Sequence, residues 1–261
     1  MTRVTRYILS GVLGGVLALC MGVTFIAGQS SRKPIRCKGI NVVITDSSTN
    51  HFVSGADVRT FIEKSYGDVR GRQIDSLNLT RIEQIVDSRS AIFKSQAYVT
   101  RDSMLNVLVT QRKPIVRFQK SDGGFYADAE GCIFPLQNSY ASHVQIIDGD
   151  IPLKANSGHK GYIEDPKEME WFRKVMDVVN YIEKERTWRD KVVQIHVEKN
   201  GELILIPREG RERFLFGQPC RIEEKFSKME KYYTYIAPSK EEGYYRSVDL
   251  KYEGQIVCRS R

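Results

Sequence analysis

The side chains able to do acid–base, nucleophilic or metal chemistry are few in this chain and do not converge on a pattern. The four histidines, His51, His143, His159 and His196, lie far apart. None stands at metal-ligand spacing, and the sequence holds no nucleophile elbow and no evident carboxylate dyad. Of the five cysteines, Cys20 falls in an apolar segment, and Cys37, Cys132, Cys220 and Cys258 are widely separated without a CxxC pair. That spacing offers neither a zinc site nor a thioredoxin-type active site. Four cysteines outside the apolar segment permit disulfides, but pairing depends on geometry that spacing does not supply. Gly123, Gly124 and Gly131 sit in turn-like contexts and lack the glycine patterns that wrap backbone amides around a phosphate. No catalytic, cofactor-binding or metal-ligating residue is assigned.

The formal charge of +8 comes from 40 basic residues interleaved with 32 acidic ones. Runs such as Glu183, Lys184, Glu185, Arg186 describe a mixed solvated surface rather than a nucleic-acid stripe, and no aromatic-and-basic recognition motif is present. Tyr232, Tyr233 and Tyr235 read as part of an amphipathic helix, and Trp171 and Trp188 as core or domain-contact residues.

The longest uncharged run, residues 7–31, contains an apolar segment at residues 7–27. As a helix at about 1.5 Å per residue it spans the roughly 30 Å of a bilayer's hydrocarbon core, longer than the apolar part of most signal peptides. A single N-terminal transmembrane helix is therefore expected, with residues 1–6 as a short tail. A cleaved signal peptide is the alternative, given Arg3, Arg6 and the small residues near Ala27. Gly14, Ala18 and Gly22, with Gly11 and Gly15, have the small-xxx-small spacing of close helix approach, a spacing also expected by chance in so glycine-rich a segment.

About 230 of the 261 residues follow, enough for one large or two small domains. Residues 28–36 read as a polar, basic linker. Residues 37–113 then give a strand, two helices and two strands. Ile40 to Thr45 is strand-like, and Ser54 with Asp57 caps a helix that buries Val58, Phe61 and Ile62. Thr80 and Glu83 suggest a capping box for a second helix carrying Leu79, Ile82, Ile85 and Val86. A hairpin turning at Arg101, Asp102, Ser103 joins alternating Ala97, Val99 to Leu105, Val107, Val109.

Residues 114–261 read as mostly strands with two helices. Asp165, Pro166 and Glu168 open one helix with a cap, an N1 proline and an acid at the positive end of the dipole. Its inward residues are Met169, Phe172, Val175, Met176, Val179 and Ile182. Asn200 and Gly201 mark a two-residue hairpin turn, which predicts Val197 opposite Ile204 and His196 opposite Leu205. A last helix is expected over 221–236. A closing half-buried strand follows, with Val248, Leu250, Tyr252 and Ile256 on one face.

The strand, helix, helix, strand, strand order resembles a POTRA domain, a small module that binds polypeptides outside the cytoplasm. Several phrases are similar to those of the bacterial cell-division family FtsQ/DivIB. They are Phe52, Val53, Ser54; Ser76, Leu77, Asn78; Gln111, Arg112, Lys113, Pro114, Ile115; Gly124 to Asp128; Gly131 to Leu136; and Val248, Asp249, Leu250, Lys251, Tyr252 with Gly254. The resemblance implies an α+β fold: a single N-terminal transmembrane helix, a POTRA-like βααββ domain, then a mostly antiparallel β domain with two helices. It implies a non-catalytic inner-membrane scaffold at the division septum, with its bulk periplasmic, linking early and late division proteins and helping to regulate septal peptidoglycan synthesis. It also implies partners of the FtsB and FtsL type, the former extending the sheet at Lys251, Tyr252, Gly254, Gln255, Ile256 and Val257 by β-augmentation, and other division components through the POTRA domain and the anchor. No cofactor, metal or nucleic acid is implied. Well-known members often place an aromatic residue several positions after the glycine, where this chain has Cys258 and Arg259. The alternative is a POTRA-bearing protein of secretion or envelope assembly, but those continue into a long run of barrel strands not seen here.

Charge counting opposes this orientation, because Arg32, Lys33, Arg36 and Lys38 outnumber Arg3, Arg6 and the amino terminus. The resemblance implies the reverse. A periplasm-dependent reporter fused after Ile40 is expected to be active and a cytoplasm-dependent one silent, and the opposite result would put the large domain in the cytoplasm.

Overall fold

The computed structural model describes residues 11, 13–23, 34–47, 51–121, 123–241 and 243–260. Residues 11 and 13–23 are helical (α1). The expected tail 1–6, positions 7–10, 12 and 24–27 of the expected membrane segment, and positions 28–33 of the linker lie outside the described residues. Among the described residues no helix is long and apolar enough to cross a membrane.

The first unit is a three-stranded sheet, β1 (Gly39–Ile44), β2 (Ile92–Val99) and β3 (Met104–Gln111), in the order β1-β3-β2. The outer strands flank β3, parallel through β1 and antiparallel through β2. Two helices, α2 (Gly55–Ser65) and α3 (Leu79–Asp87), supply Val58, Ile62, Ile82 and Val86 to a core shared with Leu105, Val107 and Val109 of β3. Ser54 and Asp57 form the expected reciprocal capping box. The cap of α3 differs from expectation. Asn78, not Thr80, accepts from the Arg81 amide at 2.9 Å, and Glu83 instead accepts from the Ala97 amide at 2.7 Å, tying the helix to β2.

The second unit is a ten-stranded mixed sheet in the order β13-β12-β11-β10-β9-β7-β4-β5-β6-β8. Its strands are β4 (Pro114–Lys120), β5 (Gly123–Asp128), β6 (Cys132–Pro135), β7 (Gln145–Gly149), β8 (Gly161–Tyr162), β9 (Val192–Val197), β10 (Leu203–Pro207), β11 (Arg213–Gly217), β12 (Tyr245–Asp249) and β13 (Val257–Ser260). Most neighbours are antiparallel; β4 with β7, β7 with β9, and β11 with β12 are parallel. Pro114 opens β4, where its missing N–H removes nothing from the interior of a ladder.

Helices α4 (Pro166–Lys184), α5 (Arg186–Lys191) and α6 (Ile222–Lys231) pack against this sheet. Phe172, Val175, Val179 and Ile182 of α4, Trp188 of α5, and Phe226 and Met229 of α6 meet Phe118, Ile147, Ile195, Leu205, Phe214 and Phe216. Trp188 is buried against Phe226, with ring centroids 5.1 Å apart.

The β9–β10 register is one residue away from the expected one. Leu203 faces Val197, Ile204 faces His196 and Leu205 faces Ile195. The turn is closed by Glu198 and Glu202 rather than by their inner neighbours: the Glu198 amide donates to the Glu202 carbonyl at 2.9 Å and the Gly201 amide to the Glu198 carbonyl at 2.8 Å. Gly201, at φ 76°, takes the left-handed position of a three-residue loop. The extra loop residue puts Ile195, Val197, Leu203 and Leu205 together in the core.

The two units share a boundary. In β5 and β6 alternate side chains go to different cores: Phe125 and Ile133 join the large one, Tyr126 and Phe134 the small one. Phe52 meets Tyr126, Phe134 and Tyr140 at centroid distances of 5.6, 6.0 and 5.2 Å. The Ser139 hydroxyl donates to the Phe52 carbonyl at 3.0 Å, and Arg112 pairs with Asp128 at 2.9 Å, both side chains nearly buried. Asp128 Oδ1 also accepts from the Glu130 and Cys132 amides, so one carboxylate shapes the β5–β6 turn and receives the arginine.

Removing the ring at this boundary, Phe52→Ala, is expected to destabilise the protein by about 3 kcal/mol in urea unfolding and to separate the unfolding of the two units. A single coincident transition of unchanged midpoint would show that the boundary is not a stabilising contact.

Candidate partner-binding edge

The end of the chain folds back rather than running straight. β12 stops at Asp249, residues 252–254 turn, and β13 returns antiparallel with Asp249 opposite Val257 and Val248 opposite Cys258. This corrects the expected single closing strand, whose in/out alternation passed through the turn. Gly254 takes φ 66° there, a left-handed conformation that side chains other than glycine adopt at a cost of roughly 1 kcal/mol or more.

Cations of α6 and its N-cap hold the turn by its backbone. Lys228, only 6% exposed, donates from Nζ to the Leu250 and Tyr252 carbonyls and pairs with Glu224 at 2.6 Å. That hydrogen bond is the main reason the Glu224 carboxyl sits below its usual range. Arg221 Nη2 donates to the Lys251 carbonyl at 2.8 Å, and its Nη1 approaches Glu224 and Glu253. The Lys251 ammonium pairs with Glu202 at 3.2 Å, which raises its pKa, while the Lys251 amide donates to Asp249 Oδ1.

Of the residues expected to bind a partner, Lys251, Tyr252, Gly254, Gln255 and Ile256 therefore lie in the β12–β13 connection and Val257 opens the edge strand. Tyr252 is 51% exposed, Gln255 is exposed, and Ile256 packs half-buried against the large core. The strand with the open side is β13, so Cys258, Arg259 and Ser260 belong to the same edge and were missed. The turn signal was present in the sequence as Glu253, Gly254. The opposite edge, β8, is only two residues long, so β13 is the better template for an added strand.

Among the described residues, the His196 group is part of a side-chain network on the sheet face. His196 Nδ1 lies 2.9 Å from Asp148 Oδ1, and Asp148 Oδ2 accepts from Gln194 at 2.7 Å, a half-exposed sheet-face network with no nucleophile among its partners. Among the described residues no three His, Cys, Asp or Glu side chains are grouped to hold a metal.

A family profile described as FtsQ/DivIB, C-terminal related, matches residues 113–259, more than half of the 261-residue chain. The chain belongs to the FtsQ/DivIB family. A second profile, for a POTRA-like domain, matches residues 35–110, which enclose β1 to β3 and their helices. No curated protein matches the chain. Family membership makes this FtsQ/DivIB chain a cell-division protein of scaffold type, working through contacts with other division proteins.

Lys228→Met leaves the Leu250 and Tyr252 carbonyls without their charged donor and is expected to destabilise the fold by about 3 kcal/mol. Hydrogen exchange at residues 250–257 should accelerate more than at β9 and β10. Uniform acceleration would assign Lys228 to general core stability instead of the turn.

Proposed function

We propose that the chain is a non-catalytic, single-pass inner-membrane scaffold of the bacterial division machinery. Residues 7–27 would be its anchor, residues 28–36 a linker, and both folded units would stand in the periplasm at the septum. Its partners would be proteins of the FtsB and FtsL type. In this role it connects early and late assembly and helps to regulate septal peptidoglycan synthesis.

The observation that carries this reading is a four-residue strand, β13, at one end of the sheet, paired with β12 on one side and with no second strand beside it among the described residues, in a chain of this family. An incoming strand would satisfy its outward N–H and C=O groups, which gives affinity, while the exposed Tyr252 and Gln255 beside it give specificity. The buried lysine beneath the turn presents the edge in a fixed pose, so little ordering is left to offset binding.

The test is hydrogen exchange of the full-length chain with and without a co-purified FtsB-type partner. Outward-facing amides of Val257–Ser260 should gain protection, and Tyr252→Glu should weaken capture at least tenfold with an unchanged melting temperature. A bound partner that leaves β13 exchange unaltered would overturn the edge reading. Midcell localisation and filamentation on depletion check the division role separately.

A further inference from the structure

A cavity of about 370 Å³ opens where the β10–β11 loop, the end of α6 and the start of β12 meet. Glu212 lines it and is only 7% exposed, yet its carboxylate receives a single hydrogen bond among the described residues, from the Arg211 amide to Oε2 at 3.0 Å. No lysine or arginine among those residues forms an ion pair with it. The carboxylate faces the cavity, so its remaining lone pairs are open to a cationic donor that enters there.

The opposite wall is aromatic. After Lys231 the α6 backbone continues as a π-helical turn, Tyr232–Ile236, an irregularity frequent at binding sites, and it brings Tyr232 and Tyr233 to the cavity. Tyr232 is 3% exposed, touches Phe214, Tyr233 and Tyr245 through its ring, and has no hydrogen-bond partner for its hydroxyl among the described residues. Burial first, and then the negative charge of Glu212, push both phenols well above the usual tyrosine range. Lys240 lines the cavity with its Nζ 5.2 Å from the Tyr244 centroid, Lys191 Nζ is 4.2 Å from the Tyr233 centroid, and the Arg211 side chain packs by Gly243 in the wall.

The cavity adjoins the strand next to the edge. Tyr245 lines it and stands opposite Ser260 in the β12–β13 ladder. A strand added to β13 in either direction passes this end of it.

We infer that the Glu212–Tyr232 cavity receives one cationic side chain, a lysine or arginine, from the segment that docks on β13. The inference rests on the edge reading and adds its specificity element. The carboxylate supplies the counter-charge, the Tyr232 hydroxyl accepts one N–H, and the tyrosine rings offer cation–π faces. Backbone pairing along β13 tolerates many sequences, so this position would fix which register of the partner is bound.

The experiment compares wild-type, Glu212→Gln and Tyr232→Phe full-length chains for affinity and β13 exchange with the FtsB-type partner. Glu212→Gln keeps the shape and the Arg211 contact and should weaken binding about tenfold with a flatter salt dependence. Tyr232→Phe keeps the ring packing and should weaken it by about threefold. Replacing the partner's lysines and arginines singly by methionine should reveal one position whose loss equals that of Glu212→Gln and does not add to it. Binding within twofold of wild type for both variants, with β13 still protected, would overturn the cavity inference alone. Binding without β13 protection would remove the edge reading and this inference with it.

Discussion

Everything in the folded part of this protein depends on two short strands serving two cores at once. In β5 and β6 the pleat sends Phe125 and Ile133 to one side and Tyr126 and Phe134 to the other. A pleated strand must present alternate residues to opposite faces, so a hairpin apolar on both faces has to be covered twice. Here one cover is the helical layer of its own unit and the other is the POTRA-like unit, with Phe52 at the contact. Each fully buried aromatic there contributes roughly 2 kcal/mol, and Arg112 with Asp128 fixes the angle of approach. The units are joined by packing, not merely by the covalent link at Lys113.

The short phrases that resemble the family take on physical meaning in this light. Phe52 contacts the second unit, Val53 is held by Gln111 through its amide, and Ser54 caps α2. Arg112 reaches Asp128, and Asp128 shapes the turn before Cys132. Most of these residues make the joint. A smaller group, from Val248 to Gly254, builds the edge by a different means, with lysine and arginine holding main-chain carbonyls in place.

What sequence reasoning captured were features written in neighbouring residues. Ser54 with Asp57, and Asp165 with Pro166, are local capping chemistry and appear as expected. Asn200 and Gly201 announced a hairpin, but its register depended on whether Lys199 paired or joined the loop, which core packing around Leu203 and Leu205 decides. The alternation at Val248 and Leu250 was real, yet its continuation to Ile256 was a coincidence of parity across a reversal of direction. Thr80 was the expected cap of α3, but Asn78 takes that role and Glu83 contacts β2 instead. The Glu212 cavity had no sequence signal, because Tyr232 reaches it only through a π-helical turn that periodicity does not distinguish from an ordinary helix end.

The strand order also sets a length. From β6, which touches the POTRA-like unit, to β13 the sheet crosses β5, β4, β7, β9, β10, β11 and β12. At roughly 4.8 Å per step this is close to 40 Å of hydrogen-bonded backbone, shortened somewhat by twist. A sheet braced by α4 and α6 resists bending, so it holds the POTRA-like unit and β13 at a fixed separation. A protein held at the POTRA-like end and another held at β13 would be kept far enough apart not to compete for space, yet at a separation that neither can change by itself.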